Sequence, residues 1–202
     1  GPQTRARLLS RLKIDVRGFY LRRVLRIWPL YFAVVAIGVL TAPYLVHRPV
    51  RADAVIALLT FRSNLGNHPS IPQPLGPLWS VALEEQFYVV WPVILLLASR
   101  ARNRRRAVTN TIVVLLVTSL VACFWYTSHS PVWAFYLLPT RAWELLAGAA
   151  LAVIGPKAVR IPAQVRAWLG WGGLLGIVVA SLIISDHTSF PGYAALLPVV
   201  ST

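Results

Sequence analysis

The run IWPLYFAVVAIGVLTAPYLV, residues 27–46, decides the fold. It carries no charge, and at the helical rise it extends about 30 Å, the thickness of one bilayer core. Working outward, four more stretches have a similar length: 78–98 (LWSVALEEQFYVVWPVILLLA), 108–126, 137–155 and 169–185. The first of these contains two glutamates, and 137–155 contains one arginine and one glutamate. The other two are uncharged, and 169–185 is glycine-rich, as close-packed membrane helices often are. A further apolar run begins near Ala194 and stops with the chain. The expected fold is therefore all-α: a polytopic transmembrane helix bundle over residues 27–202, with about five complete spans plus the start of another.

Composition points the same way. Of 202 residues, 57% are apolar and only 13% charged, about half the charge density a soluble surface needs. Disorder is excluded by the abundance of apolar residues. Lys and Arg number 20 against 6 Asp and Glu, a net charge of +14. A nucleic-acid-binding domain would gather that excess on one folded face. Here it coexists with uncharged spans, so no nucleic-acid partner is expected and membrane lipid is.

The basic residues set the orientation. Residues 1–26 hold eight Lys/Arg, 99–107 hold five and 156–168 hold three, whereas 127–136 and 186–193 hold none. The positive-inside rule puts the three basic segments in the cytoplasm, and His47, His68, His129 and His187 then fall in outer loops. In residues 1–26, Leu8, Leu12, Val16 and Phe19 or Tyr20 recur at helical spacing among Arg7, Arg11, Lys13 and Arg17. That is the pattern of a cytoplasmic, interfacial helix on an anionic leaflet. The short run 54–61 cannot cross alone, by length or by parity, and reads as a re-entrant or outer-face helix before the Pro-rich loop HPSIPQPLGP. No Met is present and the first residue is Gly, which reads as a piece truncated at both ends. Cys123 is the single cysteine, so no intrachain disulfide can form.

Three of the six acids, Glu84, Glu85 and Glu144, lie inside expected spans. A charge at mid-membrane costs roughly 2.5–3.5 kcal/mol on insertion scales, so each is a candidate for function. Ser80, Glu84 and Tyr88 share a helix face at spacings of four, with Trp79, Phe87 and Trp91 around them. The competing reading is that these glutamates pair with a cation and lock the bundle. Arg141 and Glu144, three apart, can form an ion pair near the outer end of a span. Alternatively, Arg141 holds an anion or the Glu84 carboxylate. Arg23 and Arg26 are also three apart, beside Arg22, where the first span leaves the cytoplasm. Two guanidiniums on one face can grip phosphate oxygens, and they can equally be an ordinary positive-inside anchor. The arginines at 100–106 read as such an anchor. No phosphate-cradling glycine loop, HExxH or CxxC pattern occurs, so no metal is expected.

Four strings, taken in order, resemble the acyltransferase-3 family of integral membrane O-acyltransferases, which modify bacterial cell-surface glycans and some macrolides. FYLRRVLRIWPLYF (19–32) resembles its Arg-rich segment. GPLWSVALEEQFYVVWP (76–92) resembles its Trp-Ser-Leu-x-x-Glu-x-x-Phe-Tyr block, with Val81 in place of Leu. LLPTRAWELLAGAALA (137–152) and FPGYAALLPVVST (190–202) resemble two later blocks. The resemblance implies transfer of an acyl group, with acetyl expected, from cytoplasmic acyl-CoA to a hydroxyl of a cell-surface or lipid-linked glycan, in a bacterial inner membrane. It implies that Arg23 and Arg26 engage the donor. Glu84 would stand in the family's glutamate position, supported by Trp79, Ser80, Tyr88, Arg141 and Glu144. The family's catalytic histidine lies upstream of the Arg-rich segment, but no histidine precedes His47 here. The piece by itself is therefore expected to be inactive. A periplasmic domain downstream is compatible with the resemblance. Outside it stand two rivals: a transporter or flippase half, which an internal repeat would favour although none is found, and a lipid-binding scaffold without enzymatic activity.

Overall fold

The computed structural model describes residues 15–45, 47, 49–65, 71–158, 161–185 and 191–202, and their regular structure is helical without a strand. Helix α1 (Val16–Leu45) begins at Asp15, whose Oδ1 accepts from the Gly18 amide at 2.9 Å as an N-cap. Its 30 residues rise about 45 Å, well beyond a bilayer core. The boundary expected at residues 26 and 27 is therefore not a break. The arginine-bearing turns and the apolar span are one helix, which runs on through Pro29 although that residue has no N–H to give the Leu25 carbonyl. The part of the expected interfacial helix before residue 15 lies outside the described residues.

The run 54–61 becomes helix α2 (Ala52–Leu59), followed by a 3-10 turn at Gln73–Leu75. Of the Pro-rich loop, residues 68–70, including His68, lie outside the described residues, as does His187. Helices α3 (Leu78–Ser99), α4 (Arg104–His129), α5 (Pro131–Tyr136), α6 (Leu138–Ala158) and α7 (Ala163–Ile183) follow. A 3-10 turn at Tyr193–Ala195 leads into α8 (Leu196–Ser201). Two details differ from expectation. Helix α4 continues past residue 126, so His129 ends a helix, stacked on Trp125 with its Nδ1 2.8 Å from the Trp125 carbonyl. The segment after it, expected as an outer loop, contains α5. Helices α1, α3, α4 and α7 are long and apolar enough to cross a membrane. Helix α6, expected as a fifth span, has 21 residues and is not among those four.

The chain divides into two compact units. One comprises residues through Ala82 together with Tyr88–Leu96; the other comprises Leu83–Phe87 and Leu97–Thr202. In the first, Tyr31, Val35, Leu58 and Leu75 form the core. Gly38 of α1 lies directly against the Leu75 side chain, a close approach that leaves no room for a Cβ. Helix α2 ends in a Schellman arrangement: the Arg62 amide donates to the Ala57 carbonyl at 2.8 Å and the Phe61 amide to Leu58 at 3.2 Å. The left-handed position, usually glycine, is Phe61 with φ 52°. Its ring stacks on Tyr31 at 4.5 Å, and the Tyr31 hydroxyl donates to the Leu58 carbonyl at 2.8 Å. Those contacts offset the cost of a left-handed side-chain-bearing residue, about 1–2 kcal/mol.

In the second unit, Cys123, Trp143 and Ala195 form the core, with Leu116, Leu120, Leu196 and Val199 against them. The turn before α8 is tied to α4 by the Gly192 amide, which donates to Thr127 Oγ1 at 3.1 Å. Gly173 and Gly176 of α7 receive Ser201 of α8, so their missing side chains set that approach.

Candidate functional site

The arginines of α1 differ in their surroundings. Arg22 is exposed and reaches Asp15 only at 3.9 Å, a weak surface pair. Arg23 is half-buried, with its guanidinium carbon 3.3 Å from the centroid of the Tyr88 ring. Phe19 contacts the same ring at 6.3 Å, and the Tyr20 hydroxyl donates to the Val89 carbonyl at 2.9 Å. Helical spacing puts Arg23 beside Phe19 and Tyr20, so the three moor the start of α1 to residues 88 and 89 of α3. Stacking fixes the plane of a guanidinium, and a planar guanidinium presents its N–H groups at its edge, the geometry that phosphate oxygens accept bidentately. Arg26, one turn further, is exposed.

On α3, Ser80 is exposed and its hydroxyl donates to the Pro77 carbonyl at 3.0 Å, closing the turn that leads into the helix. Glu84 is half-buried, as are Trp79 and Trp91. Glu85, which the sequence places second to Glu84, is the more buried of the two at 7% exposure, on the face shared with Ala82.

Arg141 and Glu144 meet in the first turns of α6. Nε lies 3.0 Å from Oε1 and Nη2 lies 2.8 Å from Oε2, a two-pronged charge-assisted pair. Their side chains are 14% and 22% exposed, and the guanidinium also lies 5.4 Å from the Phe135 ring. An ion pair of the kind that spacing allows is present. Two hydroxyls that the sequence reading passed over support this turn. Thr140 Oγ1 stands 2.8 Å from both the Ala134 and Leu137 carbonyls, serving the end of α5. Ser119 of α4 contacts the α6 backbone at Pro139 and Trp143. The available signal was a serine inside an uncharged span, where a hydroxyl needs a partner, although Thr109, Thr111 and Thr118 of the same span give the same signal.

Arg23, Arg26, Trp79, Ser80 and Tyr88 thus belong to the first unit, and Glu84, Arg141 and Glu144 to the second. An open groove of about 540 Å³ in the first unit, bordered by Phe32, Val39, Val55 and Leu59, offers no reactive group. Among the described residues, no three His, Cys, Asp or Glu gather as a metal site.

The family described as an acyltransferase domain matches residues 7–202, which takes in every residue just placed. The chain belongs to the acyltransferase-3 family. With its long apolar helices, this acyltransferase-domain chain is that of an integral membrane protein. It is 31% identical over 180 residues to the candidate peptidoglycan O-acetyltransferase YrhL of Bacillus subtilis (strain 168), covering 77% of this chain and 27% of the relative. It is 25% identical over 199 residues to the peptidoglycan O-acetyltransferase OatA of Listeria monocytogenes serovar 1/2a, covering 88% and 32%. An uncharacterized protein of Haemophilus influenzae is 28% identical over 208 residues, covering 93% and 84%. The acyltransferase-domain chain thus spans about a third or less of the first two relatives. No solved structure matches it.

Proposed function

We propose that this chain is the donor-binding and bundle portion of a membrane O-acetyltransferase acting on a cell-surface or lipid-linked glycan, in a bacterial inner membrane with residues 1–26 on the cytoplasmic side. The observation that carries this reading is the family match over residues 7–202. The names of the relatives from Bacillus and Listeria supply the acetyl group and the glycan class.

In this reading the donor is cytoplasmic acetyl-CoA. Arg23, held flat on Tyr88, and Arg26 engage its phosphates from the basic end of α1. The acceptor hydroxyl oxygen attacks the thioester carbonyl, a C–O bond forms, the C–S bond breaks, and the thiol leaves with the proton the hydroxyl lost. No residue of this chain is assigned as the base for that proton. Glu84 orients that base or polarises the acceptor, and Trp79 and Ser80 shape the start of its helix. The Arg141–Glu144 pair supplies a fixed, partly buried charge array. No metal is required.

The test uses the full-length protein in proteoliposomes with labelled acetyl-CoA and a glycan acceptor. Arg23→Ala combined with Arg26→Ala is expected to raise the donor KM at least tenfold. A wild-type KM and rate in that variant would remove the donor clamp. No transfer by the wild-type protein would remove the activity itself.

A further inference from the structure

The Arg141–Glu144 pair stands on the first turns of α6, where a helix has the fewest backbone bonds of its own. An unbroken α-helix aims each amide at the carbonyl four residues earlier, here Trp143 at Pro139. Ser119, 20 residues earlier on α4, engages both groups. Its Oγ accepts from the Trp143 amide at 2.9 Å and donates to the Pro139 carbonyl at 2.7 Å. The hydroxyl therefore bridges the two ends of one helical step, in the manner of a side chain entering the ladder. Ser119 is 6% exposed and Trp143 2%, so water does not substitute easily.

Ser119 gives its hydroxyl proton to a different kind of acceptor from the other hydroxyls that donate on α4. Thr109, Thr118, Thr127 and Ser128 each donate to the carbonyl four residues back on their own helix, the ordinary solution inside a membrane. Ser119 reaches another helix instead. Arg141 lies inside the bridged step and Glu144 directly follows it. The spacing from Pro139 to Trp143 thus sets how the guanidinium meets the carboxylate. On the other side of Arg141, the Thr140 hydroxyl fixes the turn to α5.

We propose that Ser119 is a positioning residue for the Arg141–Glu144 pair, acting through its bridge between the Pro139 carbonyl and the Trp143 amide. Its consequence for catalysis rests on the acyltransferase reading above; its effect on the pair does not.

The experiment takes the full-length protein in nanodiscs and compares wild type, Ser119→Ala and Ser119→Thr. The Arg141 Nε–H signal, assigned by Arg141→Lys, is followed by nitrogen-15 NMR, and acetyl transfer is measured alongside. In Ser119→Ala the signal is expected to shift and its hydrogen exchange to quicken several-fold. In the same variant kcat should fall about tenfold or more at an unchanged donor KM, because small misplacements of charged groups carry penalties of that order. Ser119→Thr, which keeps the hydroxyl, should restore both. An unmoved Arg141 signal in Ser119→Ala, or a moved signal with unchanged kcat, overturns the proposal. Should Ser119→Ala not fold, Ser119→Cys replaces it, with a partial shift expected and an unmoved signal again overturning. If wild type transfers no acetyl group, the acyltransferase reading falls, and the NMR comparison alone decides the positioning role.

Discussion

Removing both members of the Arg141–Glu144 pair should cost clearly less than the sum of removing each alone. The pair makes two charge-assisted hydrogen bonds, at 3.0 and 2.8 Å, with side chains 14% and 22% exposed. Orphaning one partner of a fully buried pair costs about 3–5 kcal/mol, while exposed pairs are worth about 0–1 kcal/mol. Partial exposure places this one between those limits, with a coupling of about 2 kcal/mol, roughly thirtyfold in an equilibrium constant. The cycle consists of Arg141→Ala, Glu144→Ala and the double variant, each followed by reversible unfolding of the full-length protein in detergent. Each single variant should lose stability, and the double should lose about 2 kcal/mol less than the sum of the two. Additivity within about 0.3–0.5 kcal/mol would refute the reasoning, because it would mean the two side chains do not sense each other.

Tyr88→Leu should loosen Arg23, through loss of a cation–π contact worth about 0.5–2 kcal/mol, and raise the donor KM, whereas Tyr88→Phe, which keeps the ring, should not. On α7, Gly172→Ala meets nothing within 4 Å and should be neutral or stabilise by up to about 1 kcal/mol, the helix-propensity gain. Gly173→Ala would drive its methyl into the Ser201 carbonyl and should lower the melting temperature, a contrast readable by thermal unfolding. In Asp53, loss of hydration pushes the carboxyl up, but the Arg51 side chain, 3.2 Å away, and the Ala54 amide outweigh it and hold the group below its ordinary 3.8. A depressed folded value stabilises above the unfolded one and is lost as pH falls through it, so wild type and Asp53→Asn should converge in acid unfolding curves below about pH 4.

The spans were legible because membrane insertion is read from local apolar length. Residues 78–98 became Leu78–Ser99 almost unchanged. The ends were less legible. Nothing in 19–32 distinguishes an arginine segment lying on the membrane from one continuing the span, since both satisfy the same spacing. The structure continues it. Glu84 and Glu85 are adjacent acids in one apolar run, and which of them is buried depends on the neighbours of α3. At Phe61, a turn position usually filled by glycine holds an aromatic residue, because Tyr31 supplies a stacking partner 30 residues earlier.

By itself the sequence determined that this chain crosses a membrane as helices, carries most of its positive charge in three segments, and shares four blocks with one acyltransferase family. Those properties are sums over neighbouring residues, so they survive in a linear text. Tertiary structure alone decided that Arg23 lies on Tyr88, that Glu85 is buried, and that Ser119 rather than Thr118 holds the turn carrying Arg141 and Glu144. Adjacent hydroxyls have nearly equal local preferences. A hydrogen bond forms only within about 3 Å and along a narrow range of angles, so the packing of α4 against α6 selects which one makes it.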